Sequence, residues 1–131
     1  MIDEFVTQFI KKMNTIISTY YEEAPNDATY PYAVVPSLVI NSIDYGYRAI
    51  IDVEFYVNDL SDSNIEELND NLRNELDQFT FYNNKVGFHI NYDGSILSKQ
   101  VEQDFTYRKA TFIAKIFWRR NNYVSCFIRK W

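Results

Sequence analysis

Two long stretches of this chain alternate between apolar and polar side chains, and this alternation constrains the fold more than any other feature. In residues 47–58 every second side chain is aromatic or aliphatic: Tyr47, Ala49, Ile51, Val53, Phe55 and Val57. Because successive side chains of a strand point to opposite sides of a sheet, this pattern predicts a half-buried antiparallel strand. Residues 105–118 alternate too but are apolar on both faces from Thr111 onward, which predicts a central or interface strand.

A proline-containing segment is predicted to pair with the first of these strands. Residues 30–43 read as extended, but Pro31 and Pro36 cannot donate hydrogen bonds to a neighbouring strand. We therefore expect an edge strand, or a strand interrupted by a bulge, that forms a hairpin with residues 47–58 through a turn at Asp44–Gly46.

The remaining strands are predicted to be shorter. Residues 86–92 alternate and are followed by Asp93-Gly94, a pair that predicts a closing turn. The sequence Arg-Arg-Asn-Asn at residues 119–122 predicts another turn, and Tyr123–Trp131 a last strand.

Two amphipathic helices are predicted beside these strands. Residues 2–21 place apolar side chains at steps of three and four, so they predict one helix that ends before Pro25. A second helix is predicted from about residue 61 until Asn83-Asn84. Its apolar stripe consists of Ile65, Leu68, Leu72, Leu76 and Phe79.

The predicted order is α-β-β-α-β-β, with a further strand at the end. We predict an α+β fold in which a single antiparallel or mixed sheet carries both helices on one face. The length of 131 residues predicts a single domain, 1–131, in which residues 119–131 are a C-terminal extension or an interface strand.

Charge is distributed unevenly along the chain. Residues 1–104 carry 18 acidic and 6 basic side chains, for a net charge of −12, whereas residues 105–131 carry 7 basic side chains and no acidic one. These two values give the overall charge of −5. Such a chain suits an acidic partner at its C-terminal part or head-to-tail association with copies of itself. The alternative is that basic and acidic strands simply neighbour each other in one sheet.

The residues that usually carry catalysis or bind metals are scarce. Cys126 and His89 are the only members of their kinds, so nucleophilic catalysis could use at most one thiol–imidazole pair. A structural zinc site needs about four such ligands. A single Cys also favours a reducing compartment, and no apolar run approaches the roughly 18 residues of a membrane span.

Carboxylates offer the only other catalytic candidates. Asp52 and Glu54 share a strand face, and Glu102 and Asp104 could form a second pair, but solvated strand faces explain both. We therefore predict no enzymatic activity, no metal and no cofactor.

Five segments carry a resemblance to a known family. They are the N-terminal amphipathic helix, Tyr30–Val35, Ala49–Val57, Ile65–Leu72 and Phe105–Phe112. In the order of their elements and in their pattern of apolar and polar residues, they resemble the tail terminator proteins of long-tailed bacteriophages, also called tail completion or head–tail joining proteins. The likeness covers residues 2 to about 118.

The resemblance implies a ring, commonly a hexamer, that caps the finished tail tube and provides the surface that docks to the head. It implies no catalytic residues. The implied partners are further copies of the chain, the tail tube protein and a head completion or connector protein. DNA would only pass through the ring, without specific nucleic-acid binding, and no membrane is implied. The implied location is the host cytoplasm during assembly and then the head–tail junction of the virion.

A ring of identical copies needs one surface to meet a different one on the next copy. We expect that the basic C-terminal part supplies one of these surfaces and acidic groups of a neighbouring copy the other. The candidate interface residues are Arg108, Lys109, Phe117, Trp118, Arg119 and Arg120. The alternative function is a small non-enzymatic α+β protein-binding module that dimerises through sheet edges.

Overall fold

The computed structural model describes residues 2–36, 38–44, 46–58, 62–100 and 105–118. Within these ranges the chain forms two helices and seven strands. They are α1 (Ile2–Asn14), β1 (Thr19–Tyr21), β2 (Tyr32–Val35), β3 (Leu38–Ile43), β4 (Gly46–Val57), α2 (Asp62–Leu76), β5 (Thr80–Tyr82), β6 (Val86–Gln100) and β7 (Phe105–Trp118). The strand order is β1-β2-β4-β7-β6-β5, and β3 also pairs with β4. Because only the pairing of β1 with β2 is parallel, the predicted α+β fold is confirmed with a mixed sheet.

The two long alternating stretches form the centre of the sheet, a position that was predicted for residues 105–118 as a central or interface strand. Strand β7 lies between β4 and β6, and its pairing with β4 runs from Tyr47 opposite Ile116 to Val57 opposite Thr106. The proline segment is interrupted at Pro36, and its two parts, β2 and β3, pair with the two halves of β4. The predicted hairpin is therefore present.

Both helices cover the same face of the sheet. The core forms one cluster that contains residues of α1, α2 and every strand except β1, β3 and β5. Its largest fully buried side chains include Phe5 and Phe9 from α1, Phe55, Phe88 and Phe112 from the sheet, and Leu72 and Leu76 from α2. Burying one such side chain contributes about 1.5–3 kcal/mol. The prediction that the helices pack on one face is confirmed.

Helix α1 is shorter than predicted because its C-terminal residues join the sheet. It ends at Asn14, whose Oδ1 accepts a hydrogen bond of 2.9 Å from the backbone N–H of Thr19. Residues Thr19–Tyr21 then pair with β2. Ile17 remains buried in the core, which is why the helical apolar pattern extends past the true end of the helix.

Helix α2 is shorter than predicted as well. It ends at Leu76, and Gln78 has a left-handed backbone with φ of 64°. The backbone N–H of Gln78 donates to the carbonyl oxygen of Ile90, and Thr80–Tyr82 pair with β6. Phe79 still packs against the core, so it fits the helical stripe without belonging to the helix.

The closing turn predicted at Asp93-Gly94 is wrong. Strand β6 continues to Gln100, and its register with β7 shifts between Tyr92 and Ser95. Gly94 has φ of 108°, a conformation that glycine adopts readily, so these residues form a bulge. The strand continues because β7 is long enough to pair with both of its halves.

Several predicted features lie outside the described residues. These are the turn at residues 119–122, the last strand at Tyr123–Trp131, Cys126, and the carboxylate pair of Glu102 and Asp104.

Candidate interaction surfaces

The face of the sheet opposite the helices is called the open face here. On β4 it carries Arg48, Ile50, Asp52, Glu54 and Tyr56, and on β7 it carries Tyr107, Lys109, Thr111, Ile113, Lys115 and Phe117. Their neighbours at the intervening positions form the core. The predicted interface residues of β7 therefore divide between the two faces.

Arg108 lies on the helix-covered face and is only 8% exposed. Its Nη1 donates a hydrogen bond of 2.6 Å to Ser95 Oγ, and its Nη2 forms an ion pair with Glu66 of α2. The acidic partner of this guanidinium is thus in the same chain, where the pair ties α2 to the sheet. Contact with a neighbouring copy stays a prediction for this residue.

Lys109 lies on the open face, where an acidic residue of β4 is its neighbour. Its Nζ is 3.5 Å from Asp52 Oδ2, and the Thr111 hydroxyl donates a hydrogen bond of 2.9 Å to Asp52 Oδ1. Basic and acidic strands do neighbour each other at this point. Lys109 is nevertheless partly exposed, with 44% of its side chain accessible, so it can also contact a partner.

Phe117 lies at the other end of β7. Its side chain is 4% exposed, and a Cβ placed on Gly46 would lie 3.1 Å from its ring and 2.1 Å from the carbonyl oxygen of Ile116. The absence of a side chain at Gly46 therefore allows the close approach at this end of the sheet. Trp118 is the last residue of β7, and Arg119 and Arg120 lie outside the described residues.

The predicted interface residues do not form one cluster. Lys109 and Phe117 are eight positions apart on the same strand, which corresponds to roughly 26 Å at the usual rise per residue. The pair Arg108 and Lys109 lies level with Leu97 and Ile96 of β6, whereas Phe117 lies level with Gly87.

The catalytic candidates His89, Asp52 and Glu54 lie on strands of the sheet as polar side chains. His89 Nδ1 is 2.6 Å from the Thr80 hydroxyl on the neighbouring strand, and Glu54 Oε1 accepts a hydrogen bond of 3.3 Å from the Tyr56 hydroxyl. Among the described residues no group of three His, Cys, Asp or Glu side chains could hold a metal ion. A cavity of about 260 Å³ between α2 and the end of β4 has no His or Cys in its described lining.

A row of tyrosines across the open face was not predicted from the sequence. Neighbouring ring centroids are 6.1 Å apart for Tyr20 and Tyr32, 5.0 Å for Tyr32 and Tyr56, and 5.5 Å for Tyr56 and Tyr107. Burial raises the pKa of Tyr32, and burial together with the charge of Glu54 raises the pKa of Tyr56. The tyrosines lie far apart in the sequence, so only the strand register brings them together.

Neither helix in the described part of the chain is long and apolar enough to cross a bilayer.

No family profile and no curated protein matches this chain. Among solved structures, a chain from the virion of a native gene transfer agent (GTA) particle matches with a TM-score of 0.61 over 82% of this chain and 82% of that chain. The two chains share a fold. Their sequences are 10% identical, so the likeness concerns architecture and not individual residues.

Replacing Arg108 tests its role beneath α2. We expect Arg108→Ala to lower the free energy of unfolding by more than about 2 kcal/mol, because it removes a buried side chain and leaves a cavity. Arg108→Met keeps most of the volume and should cost less than about 1.5 kcal/mol. Urea unfolding measures both, with exposed Lys115→Ala as the control. An Arg108→Ala variant as stable as this control would contradict the assignment.

The raised pKa of Tyr56 predicts a loss of stability in alkaline solution. Above pH 10, the ordinary value for tyrosine, the unfolded chain releases this proton while the folded chain retains it. Stability should therefore be complete below pH 10 and fall as the pH rises further. Tyr56→Phe should flatten this fall in urea unfolding measured across the pH range, whereas Tyr82→Phe, at an exposed position, should not. Equal pH profiles for the two variants would refute the buried environment of Tyr56.

Proposed function

We propose that this chain is a virion structural protein that assembles as a ring, caps the tail tube and provides the surface to which the head joins. One observation supports this most: a chain of a gene transfer agent virion has the same fold over four-fifths of both chains. The resemblance of five segments to tail terminator proteins points to the same kind of particle and narrows the proposal to its head–tail junction.

The distribution of charge supports assembly from identical copies. Helix α2 presents acidic side chains to solvent, namely Glu66, Glu67, Asp70 and Glu75, with Arg73 as its single basic residue. The basic residues are concentrated after position 104. An acidic helix surface and a C-terminal sequence rich in basic residues favour a heterologous interface, in which each copy uses a different surface toward each neighbour.

Within this proposal the interface residues are Lys109, Trp118, Arg119 and Arg120. Arg108 chiefly holds α2 in place, and Phe117 is buried beside Gly46. The partners are further copies of the chain, the tail tube protein and a head connector protein. DNA crosses the ring without specific binding, because the net charge of −5 opposes stable contact with its phosphates. The chain needs no catalytic residue, metal or cofactor for this role, and it would act in the host cytoplasm and then in the virion.

The location of the protein in the particle tests this function. We expect antibodies against the chain to label purified virions at one position, between head and tail, in immunogold electron microscopy. Antibodies against the tail tube protein serve as the control and should label along the tail. Labelling of the tail tip or the tail shaft by the first antibody, or no labelling of virions, would contradict the proposal.

Charge reversal tests the proposed interface residues. We expect Arg119→Glu/Arg120→Glu to reduce the ring to single copies, because like charges would then meet at the interface. The matched control is Lys11→Glu/Lys85→Glu, which changes the net charge equally at exposed positions before residue 104. Light scattering measures the mass of the assembled protein, both free in solution and after addition of tail tubes. The wild-type ring should also dissociate as the salt concentration rises. If Arg119→Glu/Arg120→Glu leaves the mass of the oligomer unchanged, the proposed interface is contradicted.

A further inference from the structure

In the part of the chain that the structure describes, four strand edges bound the sheet, and they differ in length. Strands β1 and β5 are three residues each, and very short edge strands are one way in which proteins prevent pairing between molecules. Strand β3 is six residues long and pairs on one side only, with β4. Strand β6 is paired with β5 only at Gly87–His89. No strand within the described ranges pairs with the outer edge of β3 or with the outer edge of Ser95–Gln100.

These two longer edges also carry exposed apolar side chains. Val39 and Ile43 on β3 are 54% and 37% exposed, and Ile96 on β6 is 70% exposed. The six residues of β3 include no charged side chain, and Lys99 is the only charged residue of Ser95–Gln100. A long, apolar edge strand with few charges is a template for pairing with another chain.

The directions of the two edges fit each other. From β3 to β4, from β4 to β7 and from β7 to β6 every pairing is antiparallel, so β3 and β6 run in opposite directions. Suppose that the next copy is related to the first by rotation about an axis roughly parallel to the strands. Its strands then keep the same direction, so its β3 lies antiparallel to β6 of the first copy. Val39 lies opposite Ile50, and Ile96 lies opposite Lys109, so both exposed side chains are on the open face.

We propose that copies of this chain join head to tail by pairing the outer edge of β3 in one copy with the outer edge of Ser95–Gln100 in the next, so that one sheet continues from copy to copy. This inference rests on the ring assembly proposed above and adds a backbone contact between strand edges to the charged contact proposed there. The occupant of each edge is a second copy, because one chain carries both edges with equal length, opposite direction and the same exposed face.

The positions of the two edges along the strands also predict how far neighbouring copies are shifted relative to each other. Strand β3 is level with residues 46–51 of β4, whereas Ser95 lies opposite Ala110, which in turn lies opposite Val53. Neighbouring copies are therefore staggered along the strand direction. A closed ring with such a stagger requires strands that tilt against its axis, as in closed β-barrels.

Complementation between two variants tests this interface. Val39→Lys places a charge on the β3 edge and Ile96→Lys on the β6 edge, and both positions are exposed enough to accept lysine without unfolding. Each variant alone should be a monomer of 15.6 kDa in light scattering. An equimolar mixture retains one intact edge of each kind and should form dimers of twice that mass and nothing larger. Tyr82→Lys, on the three-residue edge β5, is the control and should keep the wild-type mass.

Each other result would overturn the proposal. If only one variant loses assembly, the interface is the isologous edge pairing of the alternative dimerising module. If both variants keep the wild-type mass, or if wild-type chain stays monomeric up to about 1 mM, where even weak association is visible, the edges do not join copies. Immunogold labelling of the junction is independent of these outcomes, so a labelled junction together with unaffected variants would retain the proposed function and remove only this interface.

Discussion

The pairing of β4 with β7 is the interaction on which the rest of the structure depends. It runs without a break from Tyr47 and Ile116 to Val57 and Thr106, and it joins the N-terminal and C-terminal halves of the described chain. On one face it supports both helices, and on the other it aligns Tyr56 with Tyr107 and Asp52 beside Lys109. Because β7 is so long, β6 can pair along its full length past the bulge, which creates the outer edge at Ser95–Gln100.

The sequence allowed the central strands and the class of fold to be predicted, but not the ends of the helices. The alternation in β4 is clear because every second residue from Ala49 to Val57 is buried. In β7 the apolar residues on both faces from Thr111 onward indicated a central or interface strand. The end of α1 was missed because Ile17 continues to face the core after the helix ends. A helix and a short strand can bury the same residues, so periodicity alone does not distinguish them.

The surfaces were harder to predict than the fold, since they depend on strand register. Contact of Arg108 with another copy stays a prediction, but its ion pair with Glu66, which is distant in sequence, was not predicted. The tyrosine row combines residues from four strands. The prolines in residues 30–43 predicted an edge strand there, and β3 pairs on one side only. No local pattern in the sequence indicated the open edge at Ser95–Gln100, which depends on how far β5 reaches along β6.

Amide hydrogen exchange tests the continuous sheet most directly, because it reports the backbone hydrogen bonds themselves. Exchange is compared between dilute single copies and the assembled protein. The account predicts that alternate amides of Leu38–Ile43 and of Ser95–Gln100 become protected on assembly, while those of β4 stay equally protected in both states. Unchanged exchange of both edge segments on assembly would contradict it.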